Sequence, residues 1–241
     1  MTEGYSLGNA ERCGWGPDDP PDSIRLEVLQ EYCLGQEVLD IGCATGTYVD
    51  WLNRLGRTTV GVDGFLDFLH GALERNRSGQ FVAGRAEQLP FADKTFDTSV
   101  IFAVLEHVDD RAAVREAIRV TRHRIIALVP LTDPSQLLDN GFVFHHHRDR
   151  THLREYTVND LRALFEERGC AVVAVRYAYP ANVRGMLADS LRLPAPFRFA
   201  TRGVLRLVKF AFRPHYSEAF IVADVPDSEP LSGSEHRHEI V

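Results

Sequence analysis

The sequence predicts an α/β fold: a doubly wound, mostly parallel sheet of seven strands, with helices on both faces and an inserted helical cap. Three observations lead there. Short apolar runs alternate with helical stretches along the chain, the pattern of a parallel sheet wrapped by helices. A glycine turn, "DIGCATG", joins the first apolar run to the helix after it. Two long connections, Leu131 to Tyr156 and Pro180 to Tyr216, interrupt the alternation, and connections of that length in a compact domain are usually functional or disordered.

The elements follow in order. Residues 1–23 are rich in Gly, Pro and Asp and read as a flexible arm. A helix is expected from Ser23 to Tyr32, then a strand from Val38 to Ile41 and a helix from Thr47 to Leu55 that Gly56 ends. "TTVGVD" is a second strand closing on Asp63, and a helix follows from Phe65 to Arg75. "FVAG" is a short third strand and "TSVIFAV" a fourth. The next helix, Asp110 to Val120, carries Val114, Ala117 and Ile118 at helical spacing, and "RIIALVP" is the fifth strand. A further helix starts at Thr157, where Asp160 three residues on completes a capping box, and ends at Gly169. "AVVAVRYA" and "EAFIVAD" are the last two strands. The folded domain is thus expected over 24–225, with insertions at 131–156 and 180–216 and a polar, disordered tail over 226–241.

With 241 residues the chain can bury one good core. Its 44% hydrophobic and 25% charged content is ordinary for a globular protein. A net charge of -7 argues against a general nucleic-acid binder. The four cysteines, Cys13, Cys33, Cys43 and Cys170, form no CxxC pair and read as reduced thiols of a cytoplasmic protein. No apolar run approaches the ~20 residues of a membrane span.

In "DIGCATG", Gly42 and Gly46 allow positive φ and let a ligand touch the backbone. Asp63 ends the second strand, where an acid can accept hydrogen bonds from both ribose hydroxyls of an adenosine cofactor. The spacing does not fit G-x-G-x-x-G, and Asp40 just ahead of the turn would repel a pyrophosphate. A carboxylate there suits a cationic ligand with an amino group, which favours S-adenosylmethionine over NAD.

From these residues outward the chain resembles a class I S-adenosylmethionine-dependent methyltransferase of the small-molecule, type 11-like group, whose sheet is Rossmann-like. "VLDIGCATG" resembles the family's first motif, "VGVDG" its second, and "GRAEQLPFADKTFD" the segment lining the adenine. "SVIFAVLEHVDD" resembles the fourth-strand motif and "REAIRVTRHRIIALVP" the helix and strand after it; "THLREYTVNDLRALFEERGC" resembles a late helix start common in these enzymes. The resemblance covers about Val38 to Val175 and implies that Asp40, Gly42 and Gly46 hold the amino-acid part of the cofactor. It implies Asp63 for the ribose, and Ala86 and Glu87 for the adenine side. Two positions depart from the pattern. Ala44 stands at the usual middle glycine and fits there only with a negative φ and with space beside the ligand for its methyl, so the loop is expected to sit slightly differently. Arg85 stands where an aspartate often meets the adenine amino group, and an arginine cannot accept that hydrogen bond.

Methyl transfer mainly needs alignment of nucleophile, methyl and sulfur; a base is needed only for acidic or hydroxyl nucleophiles. His107 in "LEHVDD" reads either as that base or as a residue that caps the loop or packs below the pocket. Glu106 beside it is expected to brace the loop. His152 with Tyr156 is placed to face the acceptor. His145, His146, His147 and His152, with Asp149 nearby, could supply metal ligands, but neighbours in an extended chain point to opposite sides and no metal is expected there. Arg148, Arg150 and Arg154 either hold an anionic group of the acceptor or are solvated.

The expected activity is methyl transfer from S-adenosylmethionine to oxygen or nitrogen of a small or lipid-linked acceptor. The alternatives are carbon methylation of a quinone-type ring and a non-catalytic binding module. Between Pro196 and Pro214, Arg198, Arg202, Arg206, Lys209 and Arg213 fall within an arc of roughly 80° of a helix over 197–213. That helix reads as a peripheral membrane contact from the cytoplasmic side, or as a cap or homodimer element.

Overall fold

The computed structural model describes residues 16, 18–75, 77–132, 149, 151–180 and 216–226. Most of the expected arm, most of both insertions, the 197–213 helix, His145 to His147 and the tail beyond Pro226 lie outside the described residues.

Helix α1 (Ser23–Tyr32) is capped by Asp22, whose carboxylate accepts from the amides of Ile24 and Arg25. Strand β1 (Glu37–Ile41) leads through the glycine turn into α2 (Thr47–Arg54). Then come β2 (Thr58–Asp63), α3 (Leu66–Glu74), β3 (Gln80–Ala83) and β4 (Phe96–Phe102). A single 3₁₀ turn, Leu105–His107, precedes α4 (Asp110–Val120) and β5 (Thr121–Pro130). Helix α5 (Val158–Glu166) opens with the expected capping box of Thr157 and Asp160. Strands β6 (Ala171–Pro180) and β7 (Tyr216–Asp224) complete the sheet.

The sheet is seven-stranded, in the order β3-β2-β1-β4-β5-β7-β6. Neighbours from β3 to β5 pair in parallel, while β7 runs antiparallel to both β5 and β6. Both faces are buried, and the two-residue period of the strands sorts their side chains between them. Leu39, Ile41, Ile101, Ile125, Ala127 and Ile221 pack with α4 and α5 on one face. Val38, Val100, Phe102, Ile126, Leu128, Phe220 and Val222 pack with Val28, Leu29 and Leu52 of α1 and α2 on the other.

Strand β4 ends two residues earlier than expected. Apolar residues continue through Val104, but Ala103 takes a left-handed φ of 54°, which leaves the strand and starts the loop. Among the described residues no helix is long and apolar enough to cross a membrane.

Candidate active site

The C-terminal ends of β1, β2, β4 and β5 share one edge of the sheet. Because β7 is antiparallel, its first residues reach that edge too, with Glu218 opposite Pro130. Loops after β1, β2, β3 and β4 therefore converge there, which is where ligands lie in open α/β sheets.

The glycine turn is held down by its own backbone. Gly42 and Cys43 both donate to Val62 O, at 2.7 and 3.1 Å, and Gly46 N donates to Cys43 O at 2.9 Å. Gly42 has φ 75°, and a Cβ there would sit 2.3 Å from Val104 Cγ2. Gly46 has φ 74°, and its Cβ would sit 2.4 Å from Phe81 Cε1. Neither position admits a side chain, so the turn forms a bare backbone cradle. Ala44 breaks the expectation of a negative φ: it stands at +47°. What holds it there is Asp63, whose Oδ2 accepts the Ala44 amide at 2.9 Å. The other carboxylate oxygen accepts from Phe65 N at 2.9 Å, so Asp63 ties the β1 turn to the β2 turn.

Asp40 and Asp63 are both buried at this cradle. Burial, reinforced by Asp63 and opposed by Arg25, pushes the Asp40 carboxyl up to about 7. Burial also raises Asp63, while the amides of Phe65, Ala44 and Gly64 pull it back. Asp40 Oδ2 has no hydrogen-bond partner among the described residues. A buried carboxylate oxygen left in this way is costly unless a ligand satisfies it. The cationic amino-acid end of S-adenosylmethionine fits that donor requirement, and its close approach fits the two glycines. Beyond β3, Ala86 is buried and Glu87 is tied to Arg85, Nη2 to Oε1 at 3.1 Å. Arg85 points outward, with 76% of its side chain exposed.

Two residues without a sequence signal belong to this edge. Arg25 of α1 lies over the rings of Tyr48 and Phe102, 5.9 and 5.7 Å from their centroids. Its Nη2 is 3.7 Å from Glu218 Oε2, an ion pair without a hydrogen bond. Arg25 Nε and Glu218 Oε2 lack hydrogen-bond partners among the described residues. Only the fold brings α1 and β7 together here.

On the other side of the cradle, the 3₁₀ turn after β4 meets the segment 149–156. His107 and His152 meet edge to face, with ring centroids 4.7 Å apart. Thr151 Oγ1 lies 2.9 Å from His107 Nδ1 and 2.6 Å from Asp149 Oδ1. Asp149 is held ionised: burial opposes this, but its bonds from the Thr151 hydroxyl and amide prevail. An ionised carboxylate only accepts, so the single Thr151 proton goes to Asp149. Thr151 Oγ1 must then accept from His107 Nδ1–H, which leaves Nε2 as the acceptor nitrogen of the ring. Burial and the neighbouring His152 lower His107 to about 4, so the ring is neutral at ordinary pH.

Two expectations change here. Tyr156 does not face an acceptor: it is buried, and its hydroxyl donates to Leu105 O at 3.1 Å and Asp110 Oδ2 at 2.9 Å. Arg154 is neither an anion holder nor merely solvated. Its Nη1 donates to Leu105 O at 3.0 Å and to Val108 O, and lies 3.5 Å from Asp110. Glu106 braces the loop through its backbone, accepting from Leu153 N at 2.7 Å, but its buried side chain leaves Oε2 without a hydrogen-bond partner among the described residues. Burial pushes that carboxyl up to about 8.

Residues 39–127 match the family described as "Methyltransferase domain". A demethylmenaquinone methyltransferase of Paenarthrobacter aurescens is 39% identical over 90 residues, covering 37% of this chain and 36% of that protein. The chain thus spans little more than a third of that relative's length. A probable S-adenosylmethionine-dependent methyltransferase of Mycolicibacterium smegmatis is 30% identical over 154 residues, covering 62% of this chain and 57% of the other. In fold, the chain is like the crystal structure of a SAM dependent methyltransferase from Archaeoglobus fulgidus: the TM-score is 0.65 at 20% identity, over 92% of this chain and 100% of that one. Residues 39–127 thus match a methyltransferase domain, and the seven-stranded sheet and glycine cradle set the chain beside S-adenosylmethionine-dependent methyltransferases in fold.

Proposed function

We propose that this protein methylates an oxygen, or a nitrogen, of a small or lipid-linked acceptor. S-adenosylmethionine, when bound, supplies a methyl group already activated by its sulfonium. Asp40, Gly42 and Gly46 would hold its amino-acid end, Asp63 its ribose, and Ala86 and Glu87 border its adenine. The observation that carries the oxygen reading is the chain from Asp149 through Thr151 to His107. It favours the tautomer with Nε2 unprotonated, which supports a base at this edge of the sheet. A neutral imidazole so placed can take the proton of an acceptor hydroxyl, with His152 against its ring. A neutral amine would need no such group.

A second reading, carbon methylation of a quinone-type ring, is favoured by the demethylmenaquinone methyltransferase relatives. A phenolic ring activated by deprotonation would use the same base. The family match ends at residue 127, however, ahead of the insertions 131–156 and 180–216 that would meet the acceptor.

The test is incubation with methyl-labelled cofactor and a panel of phenol, hydroquinone, carboxylate and amine acceptors, with NMR assignment of the methylated atom. His107→Ala and His152→Ala should each lose about 10²–10⁴ in rate on a hydroxyl acceptor. Near-wild-type turnover in both variants would overturn the base assignment and favour an amine.

A further inference from the structure

We propose that Glu106, His107 and His152 form a binding site for one divalent transition-metal ion, of the Zn²⁺ class. Each offers one ligand atom, and these atoms all lie within 4.8 Å of one another. His107 Nε2 and Glu106 Oε1 face each other across 4.0 Å. That is too long for a hydrogen bond. It is close to twice a Zn–N or Zn–O bond of about 2.0–2.2 Å, so one ion fits between them. Tetrahedral ligands stand about 3.4 Å apart at those bond lengths, so closure requires shifts of about 1.4 Å at most, within reach of side-chain rotation.

Three further features support the site. The Glu106 carboxylate is 1% exposed, and its Oε2 has no hydrogen-bond partner among the described residues. A bound cation would satisfy it, where no described side chain does. Thr151 Oγ1 accepts from His107 Nδ1–H while donating to Asp149, which leaves the ring's Nε2 on the side of Glu106. Metal-ligating histidines are commonly oriented in this way through their second nitrogen. The backbone beneath the ligands is also fixed, since Leu105 O accepts from Tyr156 and Arg154, and Glu106 O from Leu153 N. Ligands carried on a braced backbone are organised before the ion arrives.

Two imidazoles and one carboxylate are a donor set for Zn²⁺, Co²⁺ or Mn²⁺ rather than Ca²⁺. Three protein ligands leave a coordination position open. Resting on the hydroxyl reading of the acceptor, that position would take the acceptor oxygen; since the ion then occupies the Nε2 lone pair, it would stand in for His107 as base by acidifying the hydroxyl, whose proton would leave to solvent. The site runs against the expectation of no metal in the histidine cluster: it takes His152 from that cluster and joins it to Glu106 and His107 in place of His145–His147.

The test uses the full chain stripped by a chelator and dialysed free of it. Zn²⁺ is titrated by calorimetry, and Co²⁺ is added as a probe whose visible bands report nitrogen and oxygen ligation. One ion per chain is expected. Glu106→Gln and His152→Ala should each weaken Zn²⁺ binding at least tenfold. Thr151→Val should weaken it about 10–100-fold through His107. Replacing His145, His146 and His147 together with Ala should leave binding within about threefold of wild type. Thermal melts of each variant confirm folding, and His152→Ala serves where Glu106→Gln does not fold. No Zn²⁺ binding by the wild type, or binding that depends on His145–His147 and not on Glu106 and His152, overturns the site. Stoichiometric Zn²⁺ binding with methylation of amines alone keeps the site and removes the hydroxyl reading. Full hydroxyl methylation by metal-free protein overturns the ion's part in the reaction and leaves that reading standing.

Discussion

Replacing Asp63 with Ala separates two jobs that one carboxylate holds. Both of its oxygens are engaged, Oδ2 by the Ala44 amide and Oδ1 by the Phe65 amide, each at 2.9 Å. Removing the carboxylate orphans two amides at roughly 1–3 kcal/mol each, offset in part because a buried charge disappears with it. A net loss of about 1–3 kcal/mol lowers Tm by roughly 2–12 °C for a chain of this size. The second job, the proposed one, is the ribose. A hydrogen bond to a charged acceptor is worth about 1.5–3 kcal/mol, so the variant should bind S-adenosylhomocysteine at least about tenfold more weakly. Calorimetry on the folded variant reads this directly. A cycle with a 2′,3′-dideoxyribose analogue then isolates the ribose contribution from any shift of the turn. The analogue should bind wild type more weakly than the natural ligand does, and Asp63→Ala should add little further loss. Unchanged affinity in a folded Asp63→Ala, or full additivity in the cycle, refutes the ribose assignment.

Ala44→Gly relieves a left-handed alanine worth about 1–2 kcal/mol while loosening the unfolded chain by about 0.5–1 kcal/mol. Tm should hold or rise slightly, and a fall of more than about 3 °C would contradict the strain. For Asp40, raised to about 7 by burial and Asp63, the folded protein holds a proton that the unfolded chain releases above the ordinary value of 3.8. Stability from this group is therefore complete below that value and lost as pH climbs to about 7. The charged carboxylate that then exists is the one a cationic ligand needs. Cofactor affinity should rise from pH 6 to pH 8 and level off, Asp40→Asn should flatten the profile, and a flat wild-type profile would exclude the pairing. If the helix expected over 197–213 meets a membrane, neutralising Arg202, Arg206 and Lys209 releases the protein from anionic vesicles in a sedimentation assay. Failure of the wild type to sediment at low salt removes the lipid-surface reading.

The fold was legible wherever local chemistry and tertiary demand agree. Asp110–Val120 and the Thr157–Asp160 cap carry their own helix signals, and α4 and α5 form there. The end of β4 was not legible, because an apolar Phe-Ala-Val run does not reveal that Ala103 turns left-handed. Ala44 misled for a related reason. Its conformation is imposed by a carboxylate on the neighbouring strand, which local preference does not register. Tyr156 and Arg154 stand beside His152 in sequence, yet they turn inward to the 3₁₀ turn while the imidazole meets His107. Arg25 and Glu218 sit far apart in the chain and in no motif, so only strand order and the reversal of β7 disclose that they meet.

The antiparallel placement of β7 has an evolutionary consequence. The chain leaves β6 at Pro180 and re-enters β7 at Tyr216, and these two residues are register partners. The other insertion is closed in a similar way, by the bridge between Leu131 and Tyr156. Each excursion thus begins and ends at a clasped pair on the rim of the sheet. Doubling the length of a flexible loop between fixed ends costs only about 0.6 kcal/mol. Either excursion can therefore be lengthened, shortened or exchanged as a cassette at small thermodynamic cost to the sheet and the glycine cradle. Such a scaffold can vary what meets its rim while the cradle beneath stays unchanged.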